Sequence, residues 1–185
     1  IGQQTDKCIA EDLSLLEVAN IKDADFLLVC GTRDFNDNIS LYKDELNMAL
    51  KFKLPLVCAN PDKVVVRQNG KMLICAGKMA DYYKKGGGIV HSFGKPYRSA
   101  YETCIENLKE FSKSIKKKDI LIVGDSLETD ILGANNFSFH SLLVAGGIHK
   151  KELLVNEDYL SNAEMYKVFV RNNSYPNYII KKFIY

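Results

Sequence analysis

The 185-residue chain is predicted to be an α/β protein built on parallel strands. Three observations carry that expectation. Short continuous apolar runs, "FLLVCGT" at 26–32, "ILIVGD" at 120–125 and "SLLVAGG" at 141–147, contain or end in glycine and read as buried parallel strands. Between such runs lie segments whose apolar residues recur at helical spacing, clearest from Tyr97 to Phe111. The pair Asn69-Gly70 separates two β-rich runs, so a hairpin interrupts the alternation.

The elements follow in order. After the strand at 26–32, "YKDELNMALKFK" spaces Tyr42, Leu46, Ala49 and Leu50 along one helical face, and Pro55 opens the strand "LVCAN". "KVVVRQNGKMLICAG" reads as the hairpin, closed by a two-residue turn. "KMADYYKKGGG" reads as a helix whose basic last turn and glycines form its stop. "IVHSFGKP" is a strand leading into a loop, with Pro96 just before or at the first turn of the helix that follows. Tyr97, Ala100, Tyr101, Cys104, Ile105, Leu108 and Phe111 form that helix's stripe, expected to pack on a sheet. Strand "ILIVGD", a helix from about Asp130 to Asn136 and strand "SLLVAGG" make a βαβ unit, expected to be right-handed. The remaining "NAEMYKVFVRNNSYPNYIIKKF" fits a helix and a final strand near "NYII". The domain boundary falls in "KKGGGIVHSFGKP", giving residues 1–90 and 91–185.

Composition narrows the function classes. Lys plus Arg is 25 against 23 for Asp plus Glu, a balance of +2 with no long block of one sign, which argues against nucleic acid as a partner. No apolar stretch approaches the ~20 residues that span a bilayer. The polar start "IGQQTDKCIAEDLS" has no signal pattern, and its lack of Met suggests that residue 1 is not the natural start. Five cysteines without a CxxC pair, mostly inside apolar runs, read as buried thiols of a cytoplasmic protein.

Chemistry concentrates in "GDSLETDILGA" at 124–134. In an open parallel sheet, ligands bind outside the carboxyl ends of the strands, and Asp125 falls at such an end with Asp130 at the start of the next helix. Two hard oxygen ligands there suit Mg²⁺, which takes one or two carboxylates plus waters and substrate phosphate. A turn residue and a helix cap would explain an arbitrary GD pair; the full GDxxxTD after a strand favours the metal. Lys95 of "GKP" also follows a strand and opens a helix, where its ammonium could neutralise a phosphoryl group or could simply be a solvated lysine. Asn60 and Asp62 of "CANPD" end another strand and could contact a substrate, although an Asn-Pro-Asp turn needs no function. His91, His140 and His149 lack ligand spacing and read as structural.

"ANPD", "NGK", "GGGIVHSFGKP" and "ILIVGDSLETDILGANNFSFHSLLVAGGIH", in this order and spacing, resemble the haloacid dehalogenase-like hydrolase superfamily, subclass IIA, the nitrophenylphosphatase and sugar-phosphatase branch. The resemblance covers nearly the whole chain. It implies a Mg²⁺-dependent phosphatase of small phosphate monoesters, with a Rossmann-like parallel-sheet core and an α/β cap. Lys95 would then balance charge on the phosphoryl group. Asp125 would ligate Mg²⁺, with Asp130 as a second ligand or a support behind the first. Asn60 and Asp62 would lie in the cap loop that selects substrate. Residues 1–90 would be mostly cap and 91–185 the C-terminal half of the core.

The family's DxDG motif, which carries the nucleophile and the acid/base, has no counterpart here. "DAD" at 23–25 precedes its strand, and Thr32 follows a strand that maps to the cap. Phosphoryl transfer through an aspartyl-phosphate needs an in-line carboxylate, so the chain alone is expected to be inactive. A complementing N-terminal chain or a homodimer is the expected protein partner, and a small phosphorylated metabolite the expected ligand. The alternative is a non-catalytic remnant that binds such a metabolite or a partner chain. A receiver-like or flavodoxin-like domain would explain the second half but not the hairpin. Losing the central core strand should leave apolar surface and an unpaired strand edge on the second half.

Overall fold

Parallel strands joined by helices recur twice along the chain, once in each of two units, Ile1–Gly94 and Lys95–Tyr185. The structure, a computed structural model, describes residues 1–67, 69–156, 158–159 and 161–184, and the side chains of all of these but Lys7 and Cys8.

The first unit runs α1 (Lys7–Asp12), β1 (Leu27–Val29), α2 (Lys43–Lys51), β2 (Leu56–Cys58), β3 (Val64–Val66), β4 (Met72–Ile74), α3 (Ala76–Lys85) and β5 (Val90–Ser92). Its sheet has the order β1-β2-β5, parallel throughout. Val29, Leu56 and Cys58 point into a core closed by Tyr42, Leu46 and Ala49 from the α2 side and Met79, Ala80 and Tyr83 from α3. The Tyr83 hydroxyl avoids an unpaired burial by donating to the Leu54 carbonyl at 2.6 Å. Helix α2 begins with Asp44 and Glu45 and ends with Lys51, charges that suit the helix dipole. Helix α3 ends on Lys84, Lys85 and Gly86, as its glycine stop predicts.

Two expectations change here. The hairpin β3–β4 is antiparallel, but its connection is wider than two residues. The Gly70 N–H donates to the Arg67 carbonyl at 2.8 Å and the Arg67 N–H to the Lys71 carbonyl at 3.0 Å, with Gly70 at φ +77°. Gln68, inside that connection, lies outside the described residues. The strand at the expected boundary, β5, pairs with β2 and so belongs to the first unit; the division falls between residues 94 and 95.

The second unit runs α4 (Arg98–Phe111), β6 (Leu121–Gly124), a π turn (Leu127–Ile131), α5 (Leu132–Asn136), β7 (His140–Val144), α6 (Lys150–Leu153), β8 (Leu154–Val155), β9 (Asp158–Tyr159), α7 (Asn162–Asn172) and β10 (Tyr178–Ile180). The sheet order is β10-β7-β6, again parallel. Register puts Ile122, Ser141, Leu143 and Ile179 on one face. That face is covered: Leu143 and Ile179 pack with Leu127, Ile131, Leu153, Met165 and Val168, while Ile122 packs with Tyr101, Ala134 and Phe139. The other face carries Leu121, Val123, His140, Leu142 and Tyr178. Leu121, Val123 and Tyr178 there are 46%, 40% and 57% exposed, although parallel sheets normally bury both faces. Among the described residues β6 has one strand neighbour, β7.

Helix α4 does pack on the sheet through Tyr101 and Ile105, but its stripe runs past the contact, leaving Tyr97 and Phe111 exposed. The helix expected from Asp130 starts earlier, with the π turn at Leu127 capped by the Ser126 hydroxyl, which accepts the Thr129 N–H. Cys58 and Cys75 are buried, Cys30 is half-buried and Cys104 is exposed on α4. All four are free thiols.

Candidate functional site

Asp125 stands immediately beyond β6, and the π turn carries Asp130 back over the end of the same strand. The proximity is close enough to dictate Gly124: a Cβ there would stand 2.1 Å from the Asp130 Cγ. Asp130 is 5% exposed, and both of its oxygens are engaged. Its Oδ1 meets the Lys95 Nζ at 2.5 Å, and its Oδ2 accepts the Ser126 N–H at 3.1 Å. A buried carboxylate needs a counter-charge and donors, and these two supply them. Lys95 is therefore held by a partner, not merely solvated. Its peptide bond to Pro96 is cis, and α4 begins three residues after it.

Asp125 is arranged differently. Its Oδ2 accepts the Ile148 N–H at 3.1 Å from the turn after β7. That turn approaches so closely that a Cβ on Gly147 would stand 2.1 Å from the same oxygen. Among the described residues Oδ1 of Asp125 accepts no hydrogen bond, so it is the carboxylate oxygen of this pair open to a ligand. The residues fit a Mg²⁺ site in part: Asp125 offers one hard oxygen, and Asp130 is committed to Lys95 and Ser126. Among the described residues no group of three or more His, Cys, Asp or Glu side chains gathers as a metal site.

Tyr101 of α4 is pushed up to about 12 by burial and by the nearby negative charge of Asp130. The Tyr101 hydroxyl lies 3.5 Å from the Thr129 carbonyl. The Thr129 hydroxyl is buried and has no hydrogen-bond partner among the described residues.

Asn60 and Asp62 lie in the first unit, on the loop after β2. The Asn60 Oδ1 accepts the Asp62 N–H at 3.1 Å, an Asx turn that ties up the acceptor of the amide. The Asp62 carbonyl accepts the Gly77 N–H at 3.0 Å, which fixes the loop on the start of α3. The Cys58 thiol donates to the Asn60 carbonyl at 3.3 Å, and burial pushes its pKa up to about 11, so it acts as a neutral donor. Asp23 and Asp25 lie on the amino side of β1, away from the end where its parallel sheet would bind. Thr32 is a buried residue just beyond β1.

His149, expected to be structural, sits within this site. Its Nε2 accepts the Leu127 N–H at 3.2 Å, two residues from Asp125. The available signal was its place in "GGIH", just past the carboxyl end of the strand that neighbours β6.

Residues 92–168 match the HAD-hydrolase-like family model. A haloacid dehalogenase-like hydrolase from Brucella suis is 29% identical with a TM-score of 0.82, over 100% of this chain and 64% of that one. The p-nitrophenyl phosphatase of Archaeoglobus fulgidus, 19% identical with a TM-score of 0.58 over 96% of this chain and 69% of its own, shares the fold. A Bacillus subtilis protein named "Probable phosphatase YqeG" is 33% identical over 56 residues, which are 30% of this chain and 30% of that protein. The chain thus spans less than two thirds of the Brucella hydrolase's length and less than one third of the Bacillus protein's. Among the described residues no helix is long and apolar enough to cross a membrane.

Proposed function

We propose that the chain, whose residues 92–168 match the HAD-hydrolase-like family model, forms part of a Mg²⁺-dependent phosphatase acting on small phosphate monoesters. The observation that carries the reading is the array Lys95, Asp130 and Asp125 at the carboxyl end of β6. Asp130 holds the Lys95 ammonium at this end of the sheet, where that charge would neutralise a phosphoryl oxygen. Asp125 would present its open Oδ1 as the ligand to the metal, with Asp130 as a support behind it. Bound there, Mg²⁺ would polarise the phosphoryl group and spread its charge. The first unit would serve as the cap, its Asx turn presenting Asp62, with Asn60, to the substrate.

The in-line carboxylate is missing from this array, since the sequence has no DxDG motif. It would come from polypeptide beyond residues 1–185. Two facts support that reading: β6, which leads directly into Asp125, has one strand neighbour among the described residues, and the Brucella hydrolase is longer than this chain. The 185-residue chain alone is then inert. A purely binding role for a phosphorylated metabolite would leave the same array in place without turnover.

The test is hydrolysis of p-nitrophenyl phosphate by the product of the complete natural reading frame containing these residues. Mg²⁺-dependent turnover is expected, falling at least ~10²-fold in Asp125→Asn and in Lys95→Ala, the scale seen when a group stabilising transition-state charge is removed. Turnover unchanged in both variants, or none from the complete protein on a panel of monoesters, sinks the proposal.

A further inference from the structure

The loop that carries Asp125 is gripped from two sides at a single residue. Leu127, two positions beyond Asp125, donates its N–H to the Nε2 of His149 at 3.2 Å. Its carbonyl accepts from the Ser174 hydroxyl at 2.7 Å. Ser174, just past α7, is fully buried and His149 is 9% exposed, so water does not compete for either bond.

The polarity of the first bond fixes the state of the histidine. A backbone N–H can only donate, so Nε2 must present its lone pair, and the ring proton of the neutral imidazole sits on Nδ1. There it faces the Glu152 Oε2 at 2.6 Å, and the other oxygen of that carboxylate takes Arg171 Nη2 of α7 at 2.5 Å. Arg171, Glu152, His149 and Leu127 therefore form a chain in which every donor and acceptor is assigned. The residue next to His149, Ile148, donates its N–H to Asp125. One turn after β7 thus sets both the Asp125 carboxylate and the backbone two residues on.

We propose that His149, oriented by Glu152 and Arg171, is a positioning residue that holds the Asp125 loop in the geometry in which Oδ1 is free for a ligand. The proposal rests on the reading of Asp125 as the ligand-bearing carboxylate. His149 touches no reacting group; it acts through Leu127 and its own neighbour Ile148. A turn residue placed only for packing would have no need of one tautomer, nor of a carboxylate and a guanidinium behind it.

Nuclear magnetic resonance on the chain tests this in three steps. In the unaltered protein, the ring nitrogen signals should show Nδ1 protonated and Nε2 bare. In His149→Leu, protection of the Leu127 amide against hydrogen exchange should fall about tenfold, the effect of losing one buried hydrogen bond, with the amides of β1 unchanged. His149→Gln, whose side-chain oxygen can accept the same N–H, should restore most of that protection. Titration with Mg²⁺ alone, followed at the Ile148 amide, should show weaker binding in His149→Leu and recovery in His149→Gln. A protonated Nε2, or undiminished Leu127 protection in His149→Leu, overturns the proposal, and the tautomer measurement stands even where a variant does not fold. Absence of a Mg²⁺ response in the unaltered chain would instead strike the metal reading of Asp125, with the tautomer and Leu127 still deciding the role of His149.

Discussion

Gly124 shows what a single atom decides at this site. The Asp130 carboxyl lies where a side chain at 124 would begin, with a hypothetical Cβ 2.1 Å from Cγ. Gly124→Ala must displace Asp130, and with it Lys95 and the Ser126 N–H, so it should destabilise the fold by about 1–3 kcal/mol, the range for overpacking. Gly31→Ala is the control: nothing lies within 4 Å of its would-be Cβ, and the change should stay within about 0.5 kcal/mol. Denaturant melts of the two variants compare them directly; equal midpoints would contradict the packing account. The motif GDxxxTD marks both carboxylates in the sequence. Their division of labour is not legible there. Asp130 becomes a holder of Lys95 because a π turn, starting before the expected helix, brings it back over Gly124, and no local spacing announces a π turn.

Between elements, Glu152 ties α6 to α7 by accepting from Arg171 while meeting His149. The hydrogen bond to His149, with the positive charge of Arg171, holds the carboxyl below its ordinary value of 4.5. A carboxylate whose pKa is depressed on folding stabilises the protein above its unfolded pKa and loses that contribution as pH falls through the folded one. The stability gap between the unaltered chain and Glu152→Gln should therefore be constant from pH 7 to about pH 5 and narrow below pH 4.5. Glu152 is 41% exposed and solvent screens it, so the gap itself should be no more than about 1 kcal/mol. Thermal melts across that range measure it, and a gap that widens on acidification would refute the assignment. Segment 150–159 itself was not foreseen in the sequence. A four-residue helix and two-residue strands are too short to show a period, whereas α4, with fourteen residues, shows one plainly.

At the scale of the whole molecule, the second sheet has one dry face and one wet one. The run "ILIV" reads in sequence as a strand covered on both sides, and its composition agrees, yet Leu121 and Val123 are exposed while Leu143 of β7, on the opposite face, is fully buried. Sequence could report that the strand is apolar on both faces. It could not report what covers each face, because cover depends on a second element, and the sheet register needed to sort the residues comes only from pairing. The asymmetry separates two kinds of substitution. Leu143→Ala removes a side chain packed against Leu127, Leu153 and Met165 and should cost about 2–5 kcal/mol. Leu121→Thr with Val123→Thr places β-branched residues, which suit a strand, at both positions, removes no buried contact on the covered face, and should stay within about 0.5 kcal/mol per site. It should also raise the concentration at which the chain stays in solution, because the uncovered face would carry less apolar surface. Denaturant melts and a solubility limit test the two together. A double variant as damaged as Leu143→Ala would mean that the exposed face is buried in solution, and the chain would then have to be covered there by another copy of itself.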